Sequence, residues 1–153
     1  MRDFRPGATE YTFLLDEDVK TLVPLFPKRR VTTLARVDLP PAASDDAIVL
    51  KAWNRQFTIV TGNGRDFRKA IADFQQRGAS HCSCLFGLVV LPNGEEVQKQ
   101  LLFDFKALQT RLRFKGKPIT WKDVRRENYE VRLMKTGQAR VTELPRCKLK
   151  GGH

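Results

Sequence analysis

The chain has 153 residues, enough for one domain around one core. Apolar residues make up 41% and charged residues 29%, an ordinary soluble composition, and the longest clean apolar run, Leu85 to Leu91, falls short of the roughly 20 residues that a bilayer crossing needs. The net charge of +11 is uneven: residues 1–104 carry 14 Lys+Arg against 13 Asp+Glu, and residues 105–153 carry 14 against 4, leaving +1 and +10.

A basic block of this kind attracts polyanions, nucleic acid most often, through a term that weakens with salt. A solubilising surface or a docking face for an acidic protein are the alternatives. The opening MRDFRPGATEY has no apolar h-region, so neither a secretory signal nor a membrane anchor is expected, and the expected location is cytoplasmic. Cys82, Cys84 and Cys147 are too few for a disulfide framework. With His81 they offer four zinc-ligating side chains, but C-x-C is not the usual C-x₂₋₄-C spacing, and buried thiols are the plainer reading.

In chain order, Tyr11 to Leu15 reads as a short buried strand that stops at the acidic triplet Asp16-Glu17-Asp18. Val19 to Phe26 suits a short helix limited by Pro24 and Pro27. Val31 to Val37 reads as a second strand. Ser44 is an N-cap candidate, with Asp45 and Asp46 in the first turn of a helix whose apolar face is Ile48, Leu50, Ala52 and Trp53. Phe57 to Val60 is a third strand, and TGNG at 61–64 is a tight turn. Asp66 opens a helix with Phe67, Ala70, Ile71 and Phe74 on one face and Gly78 as its C-cap.

Leu85 to Leu91 forms a fourth strand, and Asn93 caps a single helix running to about Arg113. Thr120 to Arg126 predicts one or two helical turns. Tyr129 to Met134 and Ala139 to Leu144 alternate around a Lys135–Gln138 turn, the pattern of a β-hairpin. The alternation of strand and helix predicts an α/β fold of three layers, a mainly parallel sheet flanked by helices. A main domain is expected over 1–115, with 116–153 a basic C-terminal hairpin extension packed on it.

In open parallel sheets, sites form beyond the carboxyl ends of the strands. Asp16 follows the first strand, Asp45 starts the helix after the second, and Asn63 and Asp66 follow the third. Carboxylates brought together repel and call for a cation, and oxygen donors without His or Cys select Mg²⁺ or Mn²⁺. Each residue has a plainer explanation: Asp45 as a helix-dipole partner and Asp66 as an N-cap. Asp16 is harder to explain that way, because an acidic triplet straight after an apolar strand exceeds any capping need. Glu17 and Asp18 read as first-turn residues of the next helix, with Glu17 a candidate to support the cluster from outside. Trp53 and Trp121 read as core aromatics rather than stacking platforms. Arg65, Arg68 and Lys69 beside the third strand end, and Arg125, Arg126, Arg132 and Arg140 in the basic segment, are the candidate nucleic-acid contacts.

LLDEDV at 14–19, ASDDAI at 43–48 and IVTGNGRDF at 59–67 together resemble the motifs of the PIN-like nucleases, in order and in spacing. The likeness is to the short single-domain branch and spans about residues 11–92. It implies a parallel sheet flanked by helices and an acid cluster holding Mg²⁺ or Mn²⁺. It also implies ribonuclease activity of the kind found in toxin–antitoxin pairs, with a small antitoxin protein as partner. By position, Asp16, Asp45 and Asp66 match the family's metal-binding acids, and Thr61 matches the threonine that opens the third motif. The departure is Asn63, which stands where the family carries an acid, in a loop one residue longer. The expected function is therefore a metal-dependent endoribonuclease. A non-catalytic nucleic-acid- or partner-binding module on a degenerate site is the alternative, and a DNase is a third option. A homo-oligomer is left open.

Overall fold

The computed structural model describes residues 11–77 and 86–145. Its main sheet has six strands: β1 (Phe13–Leu15), β2 (Val31–Thr33), β3 (Thr58–Thr61), β4 (Gly87–Val90), β7 (Tyr129–Leu133) and β8 (Ala139–Glu143), in the order β2-β1-β3-β4-β7-β8. The first five are mutually parallel, and β8 runs antiparallel to β7 with Val131 opposite Val141. A separate two-stranded ribbon pairs β5 (Arg113–Phe114) with β6 (Lys117–Pro118). The helices are α1 (Asp45–Arg55), α2 (Gly64–Arg77), α3 (Glu95–Leu102), α4 (Phe105–Thr110) and α5 (Trp121–Arg126).

The short strands are apolar on both sides, because helices cover both faces of the sheet. Side chains alternate across β1: Phe13 and Leu15 join one core cluster, while Leu14 joins the other. On the first face Phe13, Phe26, Phe105 and Trp121 form an aromatic knot, with Phe13 ring centroids 5.1, 5.7 and 5.2 Å from the other three. This knot ties α4, α5 and a 3-10 helix (Glu17–Leu25) to the sheet. On the second face Ile48, Val49 and Ala52 of α1 and Phe67, Ala70 and Ile71 of α2 pack on Leu14, Ile59 and Leu88. Trp121 is enclosed in the first core cluster, and Trp53, half-buried, packs against the second beside Phe74 with ring centroids 5.4 Å apart.

Three expectations change. The helix after β1 is a 3-10 helix kinked at Val19 (φ −124°), because Pro24 inside it and Pro27 after it leave no room for a regular α-helix. The second strand ends at Thr33, and Ala35–Val37 coils into a 3-10 turn. The single helix expected from Asn93 to Arg113 breaks at Asp104, whose carboxylate caps α4 by accepting from the Ala107 N–H at 3.1 Å; α3 begins after Gly94, without a side-chain cap. Ser44 caps α1 as expected, accepting from the Ala47 N–H at 3.1 Å. The C-terminal hairpin forms and does more than append itself. β7 is the fifth parallel strand, with Val89 opposite Val131. The Gly78 cap lies outside the described residues.

Asn128 secures that fifth strand. It is buried, adopts φ 64°, and accepts from the Phe86 N–H at 3.0 Å while donating to the carbonyls of Leu144 (3.0 Å) and Pro145 (3.2 Å). Asparagine tolerates this left-handed backbone better than most residues. Asn128→Ala should therefore leave buried backbone groups unpaired and cost about 1–3 kcal/mol of stability. A lower urea midpoint with an unchanged slope is the expected readout, and a wild-type midpoint would refute the role.

Candidate metal and phosphate site

Asp16 sits at the carboxyl end of β1, where its N–H still donates to the Val60 carbonyl at 2.9 Å. Its Oδ1 accepts from the Glu17 N–H at 2.8 Å, and its Oδ2 accepts from the Thr61 hydroxyl at 2.9 Å. Thr61 ends β3 and is fully buried. Its Oγ1 in turn accepts from the Asn63 N–H at 2.9 Å, and the Asn63 side-chain amide donates to Asp66 Oδ2 at 2.8 Å. One relay thus runs from Asp16 through Thr61 and Asn63 to Asp66, joining the ends of two adjacent strands.

Asp45 enters from the start of α1 and lines a recess with Asp66. Burial pushes its carboxyl above the ordinary range, and the charges of Asp16, Asp66 and Asp46 push it further in the same direction. Asp45 is therefore within electrostatic reach of both Asp16 and Asp66. The structure also brings in Asp18, which the sequence reading placed on an ordinary first helical turn. Burial raises its carboxyl, and so do the Asp16 charge and a side-chain hydrogen bond with Asp16, while the Gly62 N–H pulls the other way. A Cβ on Gly62 would lie 3.0 Å from Asp18 Oδ2, so glycine makes room for that carboxylate. On a regular α-helix, residues two apart point away from each other. The kinked 3-10 geometry removes that rule, and the acidic triplet was the only signal in the sequence.

Glu17 does the reverse. Its carboxylate pairs with Lys20 and lines an outer recess with Arg36 and Pro41, so only its backbone N–H serves Asp16.

The cations divide by position. Arg65, Arg68 and Arg132, together with Lys135, line a cleft of about 830 Å³ that begins at Gly62, Asn63 and Gly64 and so adjoins the relay. Glu130, 3% exposed, accepts from Arg68 Nε at 2.6 Å and pairs with Arg132 at 3.5 Å, fixing both guanidinium groups on one wall. Lys69 lies instead in a recess of about 300 Å³ among Asp45, Asp46, Asp66 and Asp73. Arg140 lines a neighbouring cleft with Arg111. Arg125 and Arg126 are not brought to the site. α5 leads into the amino end of β7, and the Arg125 Cα lies 3.1 Å from where a Gly87 Cβ would be, at the amino end of β4. Burial there lowers the Arg125 guanidinium pKa from its ordinary value.

Asp16, Asp45 and Asp66 supply hard oxygen donors, the type that suits Mg²⁺ or Mn²⁺. Among the described residues, no three His, Cys, Asp or Glu side chains already form a group shaped to hold a metal ion. The donor chemistry fits a hard cation, and the carboxylates stand as a loose cluster rather than a closed cage. His81, Cys82, Cys84 and Cys147 lie outside the described residues. No helix among the described residues is long and apolar enough to cross a membrane.

A carboxyl raised in the folded chain costs stability as it ionises. Below its ordinary value of 3.8 Asp45 is protonated whether the chain is folded or not. As pH rises from there through the raised folded value, the unfolded chain releases its proton first and the fold weakens. Asp45→Asn should thus be more stable than wild type at pH 7, with the gain shrinking at acid pH. Urea midpoints at both pH values would show this, and a gain independent of pH would contradict it. Compared with protein-family models, curated proteins and solved structures, the chain matches none.

Proposed function

We propose that this chain is a metal-dependent endoribonuclease that hydrolyses RNA phosphodiester bonds. The observation that carries the reading is the relay that joins Asp16 to Asp66 across two strand ends, with Asp45 within reach of both charges, beside a cleft lined by four cations. Acids alone would repel a phosphodiester, and cations alone would bind it without chemistry. Side by side they provide a place for the metal and a place for the strand.

Asp16, Asp45 and Asp66 would hold Mg²⁺ or Mn²⁺, which when bound lowers the pKa of water and offsets charge on the phosphodiester. Thr61 fixes the Asp16 carboxylate and Asn63 fixes that of Asp66. Asp18 adds a fourth carboxyl beside Asp16. Arg65, Arg68 and Arg132 would hold the strand's phosphates. The choice of RNA rests on the resemblance of the three motifs to the PIN-like ribonucleases. That resemblance also carries the proposals of a toxin–antitoxin pair, a small antitoxin partner and a cytoplasmic site of action.

Asn63 favours a second reading, a binding module on a degenerate site. It places a neutral amide where the family carries an acid, and that amide is committed to Asp66. The two readings part on catalysis. The nuclease reading expects RNA cleavage that requires Mn²⁺ or Mg²⁺ and stops on chelation. Asp16→Asn should lower the rate by about 100-fold or more, and Thr61→Val by about 10–100-fold, as expected for a group that orients a ligand. Intact RNA after incubation of the purified chain with either metal would sink the nuclease and favour the module.

A further inference from the structure

The cleft beside the acids does not end at the hairpin. A second cleft of about 690 Å³, lined by Arg111 and Arg140, shares Met134, Thr136 and Gln138 with the first. The turn between β7 and β8 therefore forms a wall common to both. That turn is held in place. Met134 N–H donates to the Gln138 carbonyl at 2.8 Å, Gly137 N–H donates to the Met134 carbonyl at 2.9 Å, and Arg111 Nη1 donates to the Gly137 carbonyl at 3.4 Å.

Across the two clefts stand Arg65, Arg68, Arg132, Lys135, Arg111 and Arg140, and among the described residues neither lining includes a carboxylate or an aromatic ring. Of the acids beside the clefts, Glu130 is buried and engaged with Arg68 and Arg132, Asp66 accepts from Asn63, and Asp18 sits behind Gly62 at the acidic end. Such a surface has charge for phosphates and no ring on which to stack bases.

We infer that the RNA strand leaves the acidic centre along this path, crossing the β7–β8 turn with its phosphates on the six cations and its bases unread. The inference deepens the nuclease reading and rests on it for the choice of RNA. Arg68 and Arg132 hold phosphate directly, and Glu130 is a positioning residue that orients them. Recognition through the backbone alone makes binding insensitive to base sequence and steeply dependent on salt.

The test is fluorescence anisotropy with labelled 12-nucleotide U-only and A-only RNAs, with EDTA present so that binding is read without cleavage. Both RNAs should bind alike, and log Kd should rise with log salt at a slope of about 3–4, as expected for four to six phosphate contacts on a single strand. Arg132→Ala with Arg140→Ala should weaken binding by about tenfold or more and reduce the slope by about 1–1.5. Lys135→Glu, a charge reversal on the exposed turn, should weaken it as well. Arg126→Ala, at the far end of the sheet, should change nothing. Wild-type affinity and slope in the double variant would overturn the path. So would poly-glutamate displacing the RNA equally well per charge, which would point to an acidic protein instead. Binding with this variant pattern but without cleavage when metal is restored supports the path and counts against the nuclease alone.

Discussion

Carboxylates that share a small volume raise one another's cost of ionisation, and the edge of this sheet is arranged around that repulsion. Asp16, Asp18, Asp45 and Asp66 come from three separate stretches of chain, and burial together with neighbouring acids raises the Asp18 and Asp45 carboxyls. Within the chain, Lys69 borders Asp45 and Asp66, and a few hydrogen-bond donors steady the acids. The Thr61 hydroxyl, the Asn63 amide and the Gly62 N–H each donate to one carboxylate. These donors orient the acids without neutralising them. A cluster held this way has room for added positive charge, and that links the fold to the proposed chemistry.

The strand order decides where the acids gather. The parallel strands follow the order β2-β1-β3-β4-β7, and the chain reverses direction between β1 and β3. The link from β1 to β2 crosses the face of the aromatic knot, while α1 and α2 cover the other face. At such a reversal the connections leave a crevice beyond the carboxyl ends of the two central strands. Asp16 and Thr61 are the residues at those two ends, and their side chains meet at 2.9 Å. The basic wall is built by the same topology. β7 joins β4 in parallel, which puts Arg132 and the following turn at the same sheet edge as Asn63.

Much of this was legible in the sequence, for physical reasons. Apolar runs ending in an acid gave β1 and Asp16, and Ser44 with two following aspartates gave the start of α1. The alternation on either side of Lys135-Thr136-Gly137-Gln138 gave the hairpin within a residue or two. What was hidden depended on geometry that periodicity does not carry. Asp18 joined the cluster only because prolines turned an expected helix into a kinked 3-10 segment. Glu17 left it for Lys20. Arg125 and Arg126 looked like Arg132 in a basic segment, but a helix that feeds a parallel strand ends at that strand's amino end, away from the acids. Arg111 reaches the turn that contains Lys135, a relation between residues distant in sequence.

The central claim is that these carboxylates hold a hard divalent cation. Calorimetric titration of the metal-free protein with Mn²⁺, compared with Asp16→Asn, tests it most directly. A saturable site in the wild type that is lost or strongly weakened in Asp16→Asn is the result predicted. No saturable binding in the wild type, or equal binding in both proteins, would contradict it.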